Sequence, residues 1–264
     1  MRIATWNVNS ITARLPRLLP WLEQTAPDVV ALQETKTASF PHEQIEALGY
    51  EVAHNGDGRW NGTAILSRVG LSDVQLAFDG QPGFAPEEDA LLSIPVVEAR
   101  AVGATCGGLR VWSLYVPNGR SLDSSHYPYK LEWLDRFHTA IVDEVPAGPF
   151  VTMGDFNIAP TDDDVWDIVD FVGSTHVTAA ERERLSALLA LGLIDVIPRP
   201  QKYDKPFTYY DYRAGMFHKN KGMRIDLVYA TPDLVVKDAY IDREARKGTG
   251  PSDHCPVVVD LDLP

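Results

Sequence analysis

Asp253 and His254 stand side by side in PSDHC at 251–255, directly before the strand-like run VVVDLDL. A carboxylate beside an imidazole can orient or move a proton, yet so short a pair carries little by itself. Four other apolar runs deliver groups of the same kind. WNVN at 6–9 brings Asn7, LQET at 32–35 brings Glu34, MGDFN at 153–157 brings Asp155 and Asn157, and RIDLVY at 224–229 brings Asp226. Oxygen donors suit a hard divalent cation, and an imidazole can stabilise charge building on a phosphate. The set reads as a metal-assisted phosphoryl-transfer site assembled from strand ends that are distant in the chain.

Each residue also has a plainer reading. Asp155 and Asn157, two apart on extended backbone, would share one face, whereas Gly154, Asp155 and Asn157 are equally ordinary turn residues. Glu34 emerges from VVALQ either to meet a cation or to end solvated in a loop. Asn7 could reach the site or satisfy a neighbouring backbone group. Asp226 lies among apolar neighbours and needs a partner. His254 is the expected one, because a carboxylate fixes an imidazole tautomer and favours its protonated form, and Arg224 is the alternative. Tyr115 ends the strand of SLYVPNG, with Asn118 close behind. Its phenol could donate to a phosphate oxygen or simply be a core tyrosine with a surface hydroxyl. His42, His54, His126, His138, His176 and His218 lack comparable neighbours, and Trp6, Trp112 and Trp133 read as core.

The elements that must position these groups are short. Residues 2–8 and 28–34 read as buried strands. Leu15, Leu18, Leu19 and Leu22 predict a helix over 12–25, ending before Pro27. Strands are expected at 62–68, 109–116, 149–154, 223–230 and 256–263, and a helix over 128–144. Thr161 with Asp164, and Thr178 with Glu181, look like capping boxes opening two more helices. Strands and helices mix without strict alternation, and no Gly-rich phosphate loop follows a strand. The expected fold class is α/β, a four-layer sandwich of two packed mixed β-sheets flanked by helices.

The chain of 264 residues has no linker-like segment and no internal repeat, so one catalytic domain over 1–264 is expected. MRIATWNV at the N-terminus lacks a signal-peptide pattern, no run reaches membrane-spanning length, and only Cys106 and Cys255 are present. A cytoplasmic protein without membrane association is the expectation. The net charge of −13 argues against indiscriminate coating of nucleic acid. The charge is uneven, however. Between 201 and 224, Lys202, Lys205, Arg213, Lys219, Lys221 and Arg224 outnumber Asp204 and Asp211. Tyr203, Phe207, Tyr209, Tyr210, Tyr212 and Phe217 interleave with them, a combination suited to a nucleic-acid wall.

On WNVNSI, LQETK, LYVPNG, MGDFNIAP, FTYYDYRAG, GMRIDLVY and PSDHCPV, in that order along nearly the whole chain, the sequence resembles the exonuclease III family of apurinic/apyrimidinic (AP) endonucleases. That family lies within the endonuclease/exonuclease/phosphatase superfamily, whose four-layer sandwich agrees with the expected fold. The resemblance implies catalytic roles for Tyr115, Asp155, Asn157, Asp226 and His254. It implies a metal environment of Asn7, Glu34, Asp155, Asn157, Asp253 and His254, holding Mg²⁺ or Mn²⁺. It further implies DNA contacts by Asn118, Tyr209, Arg213, Met223 and Ile225, the apolar members forming a pocket for a base-free sugar. Tyr209 stands where Trp or Phe is common in the family, and Met223 where Trp or an aliphatic residue is found. The implied partner is double-stranded DNA with abasic sites or recessed or blocked 3′ ends, cut by a monomer. The implied reactions are incision 5′ to the abasic site, 3′→5′ exonuclease and 3′-end cleaning. Two alternatives stand beside this: a phosphodiesterase of the same superfamily acting on RNA or inositol phosphates, and a catalytically silent DNA-damage-binding module.

Overall fold

Strand-forming, β-branched runs bounded by turns produce two sheets in the computed structural model, which describes residues 1–85, 94–200, 203 and 205–264. The first sheet contains β1 (Arg2–Asn7), β2 (Val29–Gln33), β3 (Glu51–Asn55), β4 (Thr63–Ser67), β11 (Val235–Ile241) and β12 (Val257–Asp262), in the order β11-β12-β1-β2-β4-β3. The second contains β5 (Ser72–Gln75), β6 (Ala101–Cys106), β7 (Leu109–Tyr115), β8 (Phe150–Asp155), β9 (Ile194–Asp195) and β10 (Asp226–Ala230), in the order β5-β6-β7-β8-β10-β9. Each sheet is mixed in the same way: β1 with β2, and β7 with β8, pair parallel, and all other pairings are antiparallel.

Between the sheets lie Ile3, Val29, Ala31 and Ile65 from one and Val102, Val111, Val151, Met153 and Val228 from the other. The outer face of the first sheet buries Trp6, Val30, Leu32 and Val258 under Leu18, Trp21 and Leu22 of α1 (Ile11–Thr25). A short α2 (His42–Glu46) contributes Ile45 to the same layer. The outer face of the second sheet packs Trp112, Leu114 and Leu227 against Trp133, Phe137 and Ile141 of α3 (His126–Ile141), and Leu185 and Leu188 of α4 (Ala179–Ala190). This is the expected helix–sheet–sheet–helix order. Trp6, Trp112 and Trp133 are fully buried, as core residues should be.

One expectation changes, and one open alternative closes. The Thr161–Asp164 capping box forms, but it opens only a single 3₁₀ turn at Asp162–Asp164. Val165 is extended and bridges Met223, which diverts the chain before a helix can grow. Asp164 is instead taken by Arg224, whose guanidinium also binds Asp195. The alternative partner considered for Asp226 is thereby occupied elsewhere. The Thr178–Glu181 box, by contrast, starts α4. Among the described residues no helix is long and apolar enough to cross a membrane.

Candidate active site

The pairing pattern decides where the polar groups meet. In each sheet the parallel strands deliver their last residues to one end of the sandwich. Asn7 ends β1, Glu34 follows β2, Tyr115 ends β7 and Asp155 ends β8. The antiparallel neighbours deliver their beginnings to the same end: Asp226 opens β10 opposite Asp155, and His254 precedes β12. Tyr115, Asp155 and Asp226 are therefore adjacent in register across three strands. A buried polar tie lies just beneath, where Gln33 Nε2 donates to Ser113 Oγ across the sheets at 3.1 Å. Gly154 has φ 150°, and a Cβ there would collide with the carbonyl oxygen of Leu114, so the residue before Asp155 must be glycine.

Asn7 Nδ2 donates to Glu34 Oε1 at 2.8 Å and to Asp155 Oδ2 at 2.9 Å. Its Oδ1 accepts the Asn9 backbone N–H, so Asn7 clamps two carboxylates with its amide nitrogen. Burial pushes the Glu34 carboxyl up, but Lys36, whose Nζ lies 2.6 Å from Oε2, and Asn7 together hold it below its ordinary value. His254 Nδ1 is 2.8 Å from Asp226 Oδ2, and His254 Nε2 is 3.8 Å from Asp155 Oδ2. Burial alone would lower the imidazole, yet Asp226, with Asp155 and Asp253 adding, raises it to about 10. Burial raises Asp155 to about 7, reinforced by Asp226 and Glu34 and opposed by His254. Burial and the nearby Glu34 carboxylate keep the Tyr115 phenol protonated well above its usual range, although Arg100 pulls the other way. Tyr115 is thus a hydrogen-bond donor here.

Asn157 meets both of its readings. Asp155 Oδ1 accepts the Asn157 backbone N–H at 2.9 Å and Asn157 has φ 53°, so the segment is a turn rather than extended backbone. The side chain still reaches the site, accepting from Asn118 Nδ2 at 3.0 Å. A cavity of about 210 Å³ opens above these groups. Glu34, Tyr115, Asn118, Asp155, Asn157, Asp253 and His254 form its polar side, and Tyr209, Met223 and Ile225 its apolar side. Asn7 and Asp226 support it from behind. Glu34, Asp155 and His254 each present a ligand atom within 4.8 Å of the others. Two carboxylates there fit a hard divalent cation. Asp253 is tied to this group through Asn9, which donates to its Oδ1 at 3.0 Å.

The endonuclease/exonuclease/phosphatase family model matches residues 4–254. The chain belongs to that family. It is 30% identical over 278 aligned residues to exodeoxyribonuclease III of Haemophilus influenzae, covering 97% of this chain and 98% of the relative. A 3′–5′ exonuclease from Neisseria meningitidis superposes with a TM-score of 0.89 at 35% identity, with full coverage of both chains. An AP endonuclease from Archaeoglobus fulgidus gives a TM-score of 0.89 at 34% identity, again over both whole chains. These likenesses assign the chain to the exonuclease III branch. It is a hydrolytic DNA-repair nuclease, metal-dependent like others of its family.

Family membership does not make every basic or aromatic residue of 201–224 a DNA contact. Phe207 and Tyr210 are buried in the inter-sheet core, Arg224 is sealed against Asp164 and Asp195, and Lys205 pairs with Asp163. Gln201, Lys202 and Asp204 fall outside the described residues. Arg213 is exposed, bound to Asp211 at 2.5 Å, and does not line the cavity. Exposed cationic and aromatic surface comes partly from elsewhere: Arg14 donates to the hydroxyl of the exposed Tyr212, whose ring lies over the buried Arg246.

His176 was not expected at the site. It lines the cavity, with Nδ1 2.5 Å from the Asn157 carbonyl oxygen, and burial with nearby Lys130 lowers it to about 4. The only sequence signal near it is the Thr178–Glu181 box, which fixes the turn but does not say what the turn faces. Asn9 and Lys36 were also unanticipated. Both lie within motifs quoted for the resemblance, WNVNSI and LQETK.

Proposed function

We propose that this nuclease incises duplex DNA 5′ to abasic sites and also processes 3′ ends, as an exonuclease and as a 3′-phosphatase or phosphodiesterase, using Mg²⁺ or Mn²⁺ and acting as a monomer. The observation that carries this reading is the continuous chain of contacts Glu34–Asn7–Asp155 and Asp155–His254–Asp226, facing a small cavity with one apolar wall. Asp155 takes a proton from the attacking water, and Asn157 orients that water against the phosphate. His254, fixed through Nδ1 by Asp226, donates from Nε2 to a non-bridging phosphate oxygen as charge builds there. Tyr115 and Asn118 add further donors. Glu34 and Asp155 would hold the cation with Asn7 and Asp253 beside them, and when bound it stabilises charge on the departing 3′ oxygen. Tyr209, Met223 and Ile225 form a wall suited to a sugar without a base, which needs no unstacking to leave the helix.

The test uses a labelled duplex carrying one abasic analogue and a second duplex with a recessed 3′ end, each incubated with Mg²⁺ and with EDTA. Metal-dependent cleavage 5′ to the abasic site and shortening of the recessed end support the proposal. Binding without cleavage in Mg²⁺ and in Mn²⁺ would refute it.

A further inference from the structure

A second cavity, of about 330 Å³, adjoins the reaction cavity across a shared wall of His176, Tyr209 and Met223. Its far side is formed by Trp166, Phe171 and Met216, and none of these belongs to the machinery described above. Volume makes the second space informative. The reaction cavity, at about 210 Å³, lies below the roughly 300 Å³ at which sites for whole small molecules begin. It suits a sugar and a phosphate. A nucleotide removed from an intact 3′ end still carries its base, which must go elsewhere.

We propose that the second cavity receives the nucleobase of the 3′-terminal nucleotide during exonucleolytic removal, resting on the end-processing reading above. The chemistry of its walls matches a base attached to a phosphodiester. Trp166 and Phe171 supply aromatic surface of the kind on which bases stack regardless of sequence. The Lys221 ammonium lies over the Trp166 ring, 3.6 Å from its centroid, so an entering base would take the place of this flexible side chain on the ring while Lys221 turns to the accompanying backbone phosphate, and Arg120 joins the lining as a second cation. Of the carboxylates present, Asp211 is bound to Arg213, and Asp170 is an acceptor for an exocyclic amine. Gly222 keeps the floor close, because a Cβ there would press on the Tyr209 carbonyl oxygen at 2.6 Å. The chemical step is the same hydrolysis: water's hydroxyl joins phosphorus, the bond to the penultimate 3′ oxygen breaks, and that oxygen takes up a proton. The released product is a deoxynucleoside 5′-monophosphate.

An abasic site or a bare 3′ phosphate has no base to place, so the second cavity should matter for one substrate class only. Three reactions are compared on the full-length protein with Mg²⁺: removal of a normal 3′ nucleotide, release of a 3′ phosphate, and incision at an abasic analogue. Trp166→Ala removes the stacking surface, and Ser174→Phe fills the space while keeping Trp166. Thermal melting checks that both remain folded. Each should slow normal nucleotide removal by roughly ten- to a hundredfold while the base-free reactions stay within about threefold. Folded variants that slow all three reactions equally, or none, would overturn the proposal. A wild-type enzyme that releases 3′ phosphate but removes no base-bearing nucleotide would also overturn it, leaving the nuclease reading intact. An enzyme inert on all three would sink both.

Discussion

Lys130→Met tests whether the two asparagines that line the reaction cavity, Asn118 and Asn157, are held by a single buried cation. Lys130 and Glu181 have side chains with 0% exposure, and Lys130 Nζ lies 2.5 Å from Glu181 Oε1. The same ammonium donates to the Asn157 carbonyl at 2.7 Å and to the Asn118 carbonyl at 3.3 Å. It therefore ties α3 and α4 to both loops that present Asn118 and Asn157. Removing one partner of a buried ion pair costs about 3–5 kcal/mol, because the other charge is left without compensation. Here the lower end applies, since Glu181 keeps donors from Thr178, Thr175 and His176. At about 2–4 °C per kcal/mol for a domain of this size, the melting temperature should fall by roughly 6–12 °C. If Asn118 and Asn157 act on the phosphate as proposed, slack in both loops misplaces them, so kcat should drop by up to about a hundredfold with KM little changed. Differential scanning calorimetry and steady-state incision kinetics below the melting transition measure the two effects. Lys130→Met should also cost little in an Asn118→Ala/Asn157→Ala background, where no side chain remains to be positioned. A variant melting within about 2 °C of wild type with unchanged kcat would refute the reasoning. An undiminished further loss in that background would reduce Lys130 to a purely structural residue.

Asp226→Asn removes the carboxylate that outweighs burial at His254, so the imidazole should titrate well below its raised value of about 10, and turnover should fall by about 10²–10⁴-fold with DNA affinity nearly intact. NMR titration of the ring together with single-turnover kinetics checks both. Gly154→Ala forces a Cβ into the Leu114 carbonyl and should give an insoluble or grossly destabilised protein, readable from expression and melting; a soluble, active variant would contradict the geometry. Glu181 is pushed up by burial but drawn down by Lys130, from an ordinary 4.5 to about 2. Its carboxylate therefore contributes stability at neutral pH that is lost as pH falls from about 4.5 towards 2. Glu181→Gln should be less stable at pH 7 and show a shallower acid-unfolding limb between those values.

The fold was legible where local pattern and tertiary role agreed. Strands 2–8, 28–34, 109–116 and 149–154 are apolar almost throughout because both faces are covered, and each lies within a residue or two of where it was expected. β3, β5, β9 and β11 escaped notice because they are the edge strands of the two sheets, largely exposed or half-exposed, and β6 (AVGATC), though interior and buried, is short and interrupted by Gly103. The site was legible because its residues interrupt apolar runs, which polar side chains rarely do without a partner. His176 and Lys130 were not, for opposite reasons. His176 sits in a polar loop where a histidine attracts no attention. Lys130 lies on a helix whose apolar spacing suggests an ordinary amphipathic face, and nothing local reveals that this lysine points inward. The 201–224 segment misled in part because composition does not distinguish an exposed cation from one sealed in an ion triad, as Arg224 is.

Part of the acidic excess of the chain belongs to the site. Bringing six strand ends to one point concentrates Glu34, Asp155, Asp226 and Asp253 around a single imidazole. The protein's own cations reach only part of this charge. Lys36 meets Glu34, His254 lies between Asp155 and Asp226, and Arg100 stands behind Tyr115 at 4.8 Å from its ring centroid. Burial raises the proton affinity of Asp155 in spite of His254 and Asn7. A buried carboxylate that resists ionisation asks for one further positive charge close by, and a bound divalent cation would supply it. The surplus of negative charge in this cleft is therefore a reason to expect tight metal binding, not an obstacle to DNA. Arg14 and Tyr212, joined by a hydrogen bond at the surface, are the kind of cationic and aromatic groups that a phosphate backbone would meet.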